Sequence, residues 1–171
     1  MKALNEKVKD LLKRQKLKYW VNKDETSFRI PFIYEASHGE IKDIYDELDF
    51  PSYGHGKKDD SKIIEKDIII NINISQEPDI LCFSFTSEFN LEKLGAERTL
   101  MQLLKLNSVL RQGRIGIVEG EKHLKAFSFL HVPEDQEIDS IEFEKLVQFC
   151  MIVNDILTDA GIIEHSGAED E

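Results

Sequence analysis

No run in this chain approaches the roughly 18 consecutive apolar residues that a membrane-spanning helix needs, so a helical membrane protein is not expected. Cysteine is scarce. Cys82 and Cys150 are the only two in 171 residues. Both lie inside apolar runs of different elements and read as small buried hydrophobes, the ordinary state of free cysteine in a reducing compartment. The opening Met1-Lys2-Ala3-Leu4-Asn5-Glu6-Lys7 has no apolar core and no small-residue cleavage site, which is unlike a secretory signal. A cytoplasmic location is expected. The sequence also lacks a Gly-x-Ser-x-Gly elbow, a glycine-rich phosphate loop, a His-Glu-x-x-His helix, a fixed-period repeat and any low-complexity segment. Nucleophilic catalysis would have to pair Cys82 or Cys150 with one of five histidines, and apolar positions disfavour a thiolate. No catalytic residue and no cofactor is expected; the chain does not read as an enzyme.

What is present is an ordinary globular composition, 41% hydrophobic and 32% charged. One domain of this length buries about 70% of its unfolded surface. The net charge of −11 is unevenly placed. Positions 134–171 hold twelve acids against Lys145 alone, while everything before Glu134 balances to zero. Positions 1–18 hold seven bases against Glu6 and Asp10. The plain reading is two solvated helix faces of opposite sign. The sharper one is a basic helix and an acidic C-terminal third that steer a partner or a second subunit.

Leu4, Val8, Leu11 and Leu12 recur at helical spacing with lysines opposite, predicting a half-buried first helix. The stripe is small and lacks an early aromatic, so a membrane-surface role is not expected. Trp20 and Val21 begin extended structure. Phe28, Ile30, Phe32 and Tyr34 alternate as a strand, and Pro31 within it predicts an edge or a bulge. Residues 35–62 read as a polar insertion, with a short helix around Ile41 to Leu48 and a turn-rich loop at Phe50-Pro51-Ser52-Tyr53-Gly54-His55-Gly56. Ile68, Ile70, Ile72 and Ile74 share one strand face. Leu81, Phe83, Phe85 and Phe89 repeat the pattern after a turn at residues 75–79. Leu94, Leu100, Leu103, Leu104, Leu106, Val109 and Leu110 predict a second helix, with Gly113 as its C-cap. A hairpin follows, turning at Gly120–Glu121. Asp139 with Glu142 resembles a capping box, opening a last helix on Ile141, Leu146, Val147, Phe149, Cys150, Val153, Ile156 and Leu157 that ends at Gly161. Residues 164–171 form an acidic tail.

The resulting order, α-β-β-β-α-β-β-α, predicts an α+β domain over residues 1–163: one antiparallel sheet with helices on one side. Such a sheet leaves its second face or an edge to be covered by a dimer partner or an added peptide strand. Ile33, Ile69, Phe127 and Phe129 are the candidate contact residues on that second face. His38, Glu40, Asp43, Asp46, Glu47, Asp49 and His55 are donors for a metal, but their spacing matches no closed zinc or calcium site. Lys125-Ala126-Phe127-Ser128-Phe129-Leu130 is slightly like an RNA-stacking strand. The helix-first order and the −11 charge argue against nucleic acid.

The helix Leu100-Met101-Gln102-Leu103-Leu104-Lys105-Leu106-Asn107 leads through Gly113-Arg114-Ile115-Gly116-Ile117 into a hairpin and a long final helix. In this the chain resembles the YbjN-like family, whose fold is shared with class I chaperones of type III secretion. Asn107 with Gly113 matches the family's Leu-Asn pair before a strand hairpin. By element order the resemblance covers residues 1–34 and 63–161, and it is specific over residues 100–132. The 35–62 insertion and the acidic tail depart from it. The resemblance implies homodimers that bind an extended segment of another protein, without nucleotide hydrolysis; YbjN-like proteins have also been linked to regulation. The expectation is therefore a chaperone- or adaptor-like protein-binding homodimer. The alternative is a small-ligand or metal-responsive regulator using the insertion, with His38 and His55 as its testable residues.

Overall fold

The computed structural model describes residues 3–35, 65–75, 79–88, 95–110, 112–118, 123–159 and 161–163. Helix α1 (Leu4–Arg14) buries Val8, Leu11 and Leu12 at the predicted spacing. Lys7 departs from the expected lysine face. Its stem lies with the apolar stripe, and its Nζ donates to the carbonyls of Pro133 at 2.9 Å, Glu134 at 2.8 Å and Gln136 at 2.6 Å. Three acceptors compensate a buried cation. They also tie α1 to the loop before the last helix. The chain reverses at Lys16, in the left-handed region at φ 54°. Leu17 N–H then donates back to Leu12 O at 3.0 Å, satisfying a carbonyl of the last turn.

The strands are β1 (Trp20–Val21), β2 (Ser27–Glu35), β3 (Glu65–Ile74), β4 (Ile80–Glu88), β5 (Arg114–Ile117) and β6 (His123–His131). They form one fully antiparallel sheet in the order β1-β2-β3-β4-β6-β5. With helices α2 (Ala96–Val109) and α3 (Ser140–Asp159), this is the expected α+β class, with one additional short strand. Asn22 creates that strand: its Oδ1 accepts from the N–H groups of Thr26 and Ser27, closing a turn between β1 and β2. Pro31 pairs with Ile69 on β3 and lies beyond the two residues of β1, where the outer edge of β2 has no strand partner among the described residues. A missing N–H is harmless there.

One face of the sheet is the core. Phe28 and Ile30, Ile68, Ile70 and Ile72, Leu81, Phe83 and Phe85, Leu124 and Ala126, and Ile115 are all buried on it. Helix α3 lies across β3, β4 and β6 with Phe143, Leu146, Phe149, Cys150, Val153, Ile156 and Leu157 inward. Leu103 and Leu106 of α2 join the same core. Asp139 caps α3, its Oδ1 accepting from Ile141 N–H at 2.7 Å. Glu142 instead accepts from Lys145 at 2.7 Å. Gly161, at φ 67°, ends α3 as predicted.

Gly113 does not cap α2. That helix ends at Val109, with extended Leu110 as its C-cap. Gly113 is needed for space: a Cβ there would come within 2.5 Å of Phe127 O and 2.6 Å of Phe149 Cε1. The short helix and loop expected within the insertion, Phe89, Leu94, the Gly120–Glu121 turn and the acidic tail lie outside the described residues.

Candidate protein-binding face

Period two assigns every second strand residue to the face opposite the core. Register then aligns these residues into rows. One row crosses all six strands: Trp20, Arg29, Asn71, Ser84, Phe127, Arg114. Beside it runs Asn73, Cys82, Phe129, and on its other side Pro31 pairs with Ile69 and Thr86 with Lys125. The four candidate contact residues all emerge on this outer face. Ile33 is 76% exposed, Phe129 61% and Ile69 43%, and Phe127 is half-buried. They form two groups rather than one. Ile33 and Ile69 are diagonal neighbours on β2 and β3. Phe127 and Phe129 stack edge to face on β6, with ring centroids 5.7 Å apart.

Between the groups β4 presents only small side chains: Cys82, Ser84 and Thr86. The taller residues of β3 and β6 flank them about 9–10 Å apart, two strand spacings. The outer face thus carries a shallow trough along β4, walled by Ile69, Asn71 and Asn73 on one side and by Lys125, Phe127 and Phe129 on the other. Within it Thr86 is exposed, Cys82 half-buried and Ser84 buried by its neighbours. On the far flank of the two phenylalanines, an open concavity of about 280 Å³ is lined by Gln112, Gly113, Arg114, Phe127, Ser128 and Phe129. Arg114 Nη1 donates to Leu110 O at 3.2 Å and Gly113 O at 2.7 Å, which fixes this cation at the sheet edge. Trp20, 61% exposed, lies at the opposite end of the long row.

Cys82 differs from its sequence reading. It sits half-buried on the outer face, while Cys150 is fully buried in the core. Burial pushes both thiols up, Cys150 to about 12.

A second polar constellation lies on the helix side, where β2 ends and β3 begins. Lys66 Nζ meets Asp155 Oδ1 at 2.9 Å and Asp159 Oδ1 at 3.4 Å, and Lys66 and Asp155 are each only 4% exposed. Tyr34 O–H donates to Asp155 Oδ1 at 2.9 Å and accepts from Asn154 Nδ2 at 2.9 Å. Burial is the main cause of an upward shift that keeps the Tyr34 phenol protonated. The group ties both strands to α3, a bracing role. Sequence reasoning missed it, although Lys66 shares the parity of the isoleucines and Asp155 interrupts the apolar run of α3. Trp20, Arg29, Asn71 and Arg114 were missed for another reason: their relation exists only through register.

Among the described residues no three His, Cys, Asp or Glu side chains gather to hold a metal. The donors considered for that role, His38 to His55, lie outside the described residues. No described helix is long and apolar enough to cross a membrane. Comparison with known families and with curated proteins finds no match for this chain.

Proposed function

We propose that this chain is a non-catalytic, chaperone- or adaptor-like domain that holds an extended segment of a partner protein on the outer face of its sheet. The observation that carries this reading is that Trp20, Ile33, Ile69, Phe127 and Phe129 all stand, exposed or half-buried, on the one face that no described helix covers. The state of the sheet edges favours the face over strand addition. At β5, Asn107 Nδ2 donates to Ile115 O and its Oδ1 accepts from Ile115 N–H, both at 2.8 Å. At β2, Pro31 interrupts the open edge. Both devices discourage an added strand.

The resemblance to YbjN-like proteins and type III secretion chaperones supports the same reading and adds a homodimer. A stripe of exposed Leu100, Met101 and Leu104 on α2 suits a second copy. The raised thiols of Cys82 and Cys150 speak against cysteine nucleophiles, and their unpaired state suits a cytoplasmic location. The exposed acids of α3 would tune partner choice and association rate more than affinity.

The test compares wild type with Ile33→Asp/Phe129→Asp in pull-downs from native lysate, quantified by mass spectrometry. Both positions are exposed, so stability should change by about 0.5 kcal/mol at Ile33 and, with the edge-to-face pair to Phe127 lost, by about 1–2 kcal/mol at Phe129. Wild type should retain one protein in near-stoichiometric amount and the folded variant should lose it. Equal retention by both would refute the face as the binding surface.

A further inference from the structure

The central rows of the outer face carry charge of the sign opposite to that of the whole molecule. Its three central rows contain Arg29, Arg114 and Lys125 and no acid, in a chain with 33 acids and 22 bases. By register the acids of this face, Glu35, Glu65 and Asp67 on β2 and β3 and Glu88 on β4, stand beyond these rows at one end of the sheet. Arg29 stands on the β3 side of the trough, and Lys125 and Arg114 stand on the β6 side.

We infer that the partner segment is acidic as well as apolar: an extended peptide lying along the trough, whose face-directed apolar side chains pack on Ile69, Phe127 and Phe129 while its face-directed carboxylates reach Arg29, Lys125 and Arg114. This rests on the protein-binding reading above and specifies its ligand. Successive inward side chains of an extended chain are about 6.6–6.8 Å apart, the same interval that separates alternate residues of β4. Every second residue of the peptide faces the sheet and would therefore keep register with β4. Carboxylates among these face-directed residues would reach the flanking cations, where charge-assisted hydrogen bonds are strongest.

Two other occupants fit less well. A second copy stacked face to face would bring the same cations into the same region of an isologous contact. A single-stranded nucleic acid would gain stacking on Phe127 and Phe129. It would find only three cations in these rows before meeting Asp67, Glu65 and Glu35, and it would approach a molecule of net charge −11.

The test is fluorescence anisotropy on the full chain. In three labelled peptides of about twelve residues every second residue is Ser, facing away from the sheet, and the face-directed residues between alternate Phe or Leu with one variable residue. The variable residue is Glu in one, Gln in the second and Lys in the third. The Glu peptide should bind about ten-fold tighter than the Gln peptide at about 0.05 M salt, and the gap should close at about 0.5 M. Arg29→Glu/Lys125→Glu should reverse the order in favour of the Lys peptide. Equal affinity for the Glu and Gln peptides overturns the inference while leaving protein binding intact. Binding of none of the three overturns both. Tighter binding of a labelled oligothymidylate than of the Glu peptide assigns the face to nucleic acid and also overturns it.

Discussion

The side-chain amide of Asn107 occupies both backbone groups of Ile115, donating to its carbonyl and accepting from its N–H at 2.8 Å each. A residue on α2 thereby does for β5 what a neighbouring strand would do. It docks the C-terminal part of the helix against the edge and removes the hydrogen-bonding pair most available to another chain. Asn107→Ala should cost about 2 kcal/mol, two net hydrogen bonds, measured by urea denaturation. The variant should also self-associate more at high concentration, read by light scattering, because an unpaired edge is restored.

Gly113 should tolerate no side chain. Of the two close contacts a Cβ would make, Phe149 is a flexible ring but the Phe127 carbonyl belongs to the sheet. Gly113→Ala is expected to destabilise by about 1–3 kcal/mol. Adding Phe149→Leu should recover none of the part due to the backbone clash, so the double variant should stay below the Phe149→Leu single in urea midpoint.

The Lys66–Asp155 pair is buried at both ends. Removing one partner leaves an uncompensated charge, so Lys66→Met should cost about 3–5 kcal/mol. Lys66→Met with Asp155→Asn removes the charge and should recover a substantial part of the loss. The shortfall measures what Tyr34, Asn154 and Asp159 contribute around the pair. A double-mutant cycle in urea reads the coupling directly.

The thiols give an alkaline signature. Burial holds Cys150 protonated up to about 12 in the native state, with a smaller push from Cys82. The same thiol in the unfolded chain titrates at about 8.5. The native state therefore binds the proton more tightly. This contribution is intact below about pH 8.5 and is lost as pH rises toward about 12. Wild type should lead Cys150→Ala in urea midpoint at neutral pH and lose that lead progressively above about pH 9. Thiol titration of the native protein should reach Cys82 first, with Cys150 reacting only on unfolding. A partner bound along the trough should slow the reaction of Cys82.

What could be read from the chain was what period and composition set locally. The alternation from Ile68 to Ile74 assigned the core face of β3, and the stripe from Leu146 to Leu157 assigned that of α3. Asp139 and Gly161 marked the ends of that helix. Phe127 and Phe129 alternate and so share a face, but their alternation alone suits a helix-packed face as well as the outer one. Hidden features were those that depend on distant partners. The row from Trp20 to Arg114 requires strand order. Gly113 is explained by a ring and a carbonyl contributed from α3 and β6. Lys7, Lys66 and Asp155 look misplaced in apolar patterns until the carbonyls and charges opposite them are known. Cys82 looked like core because its neighbours in sequence are core, although its own parity is outward.

The central claim, that a partner protein lies on the outer face, is tested most directly by site-specific photocrosslinking in native lysate. A benzophenone side chain replaces Phe129 in one sample and Glu144, exposed on α3, in another. The account predicts a single discrete adduct from position 129, competed by unlabelled wild-type protein, and none from position 144. Adducts of equal yield from both positions, or from position 144 alone, would contradict it.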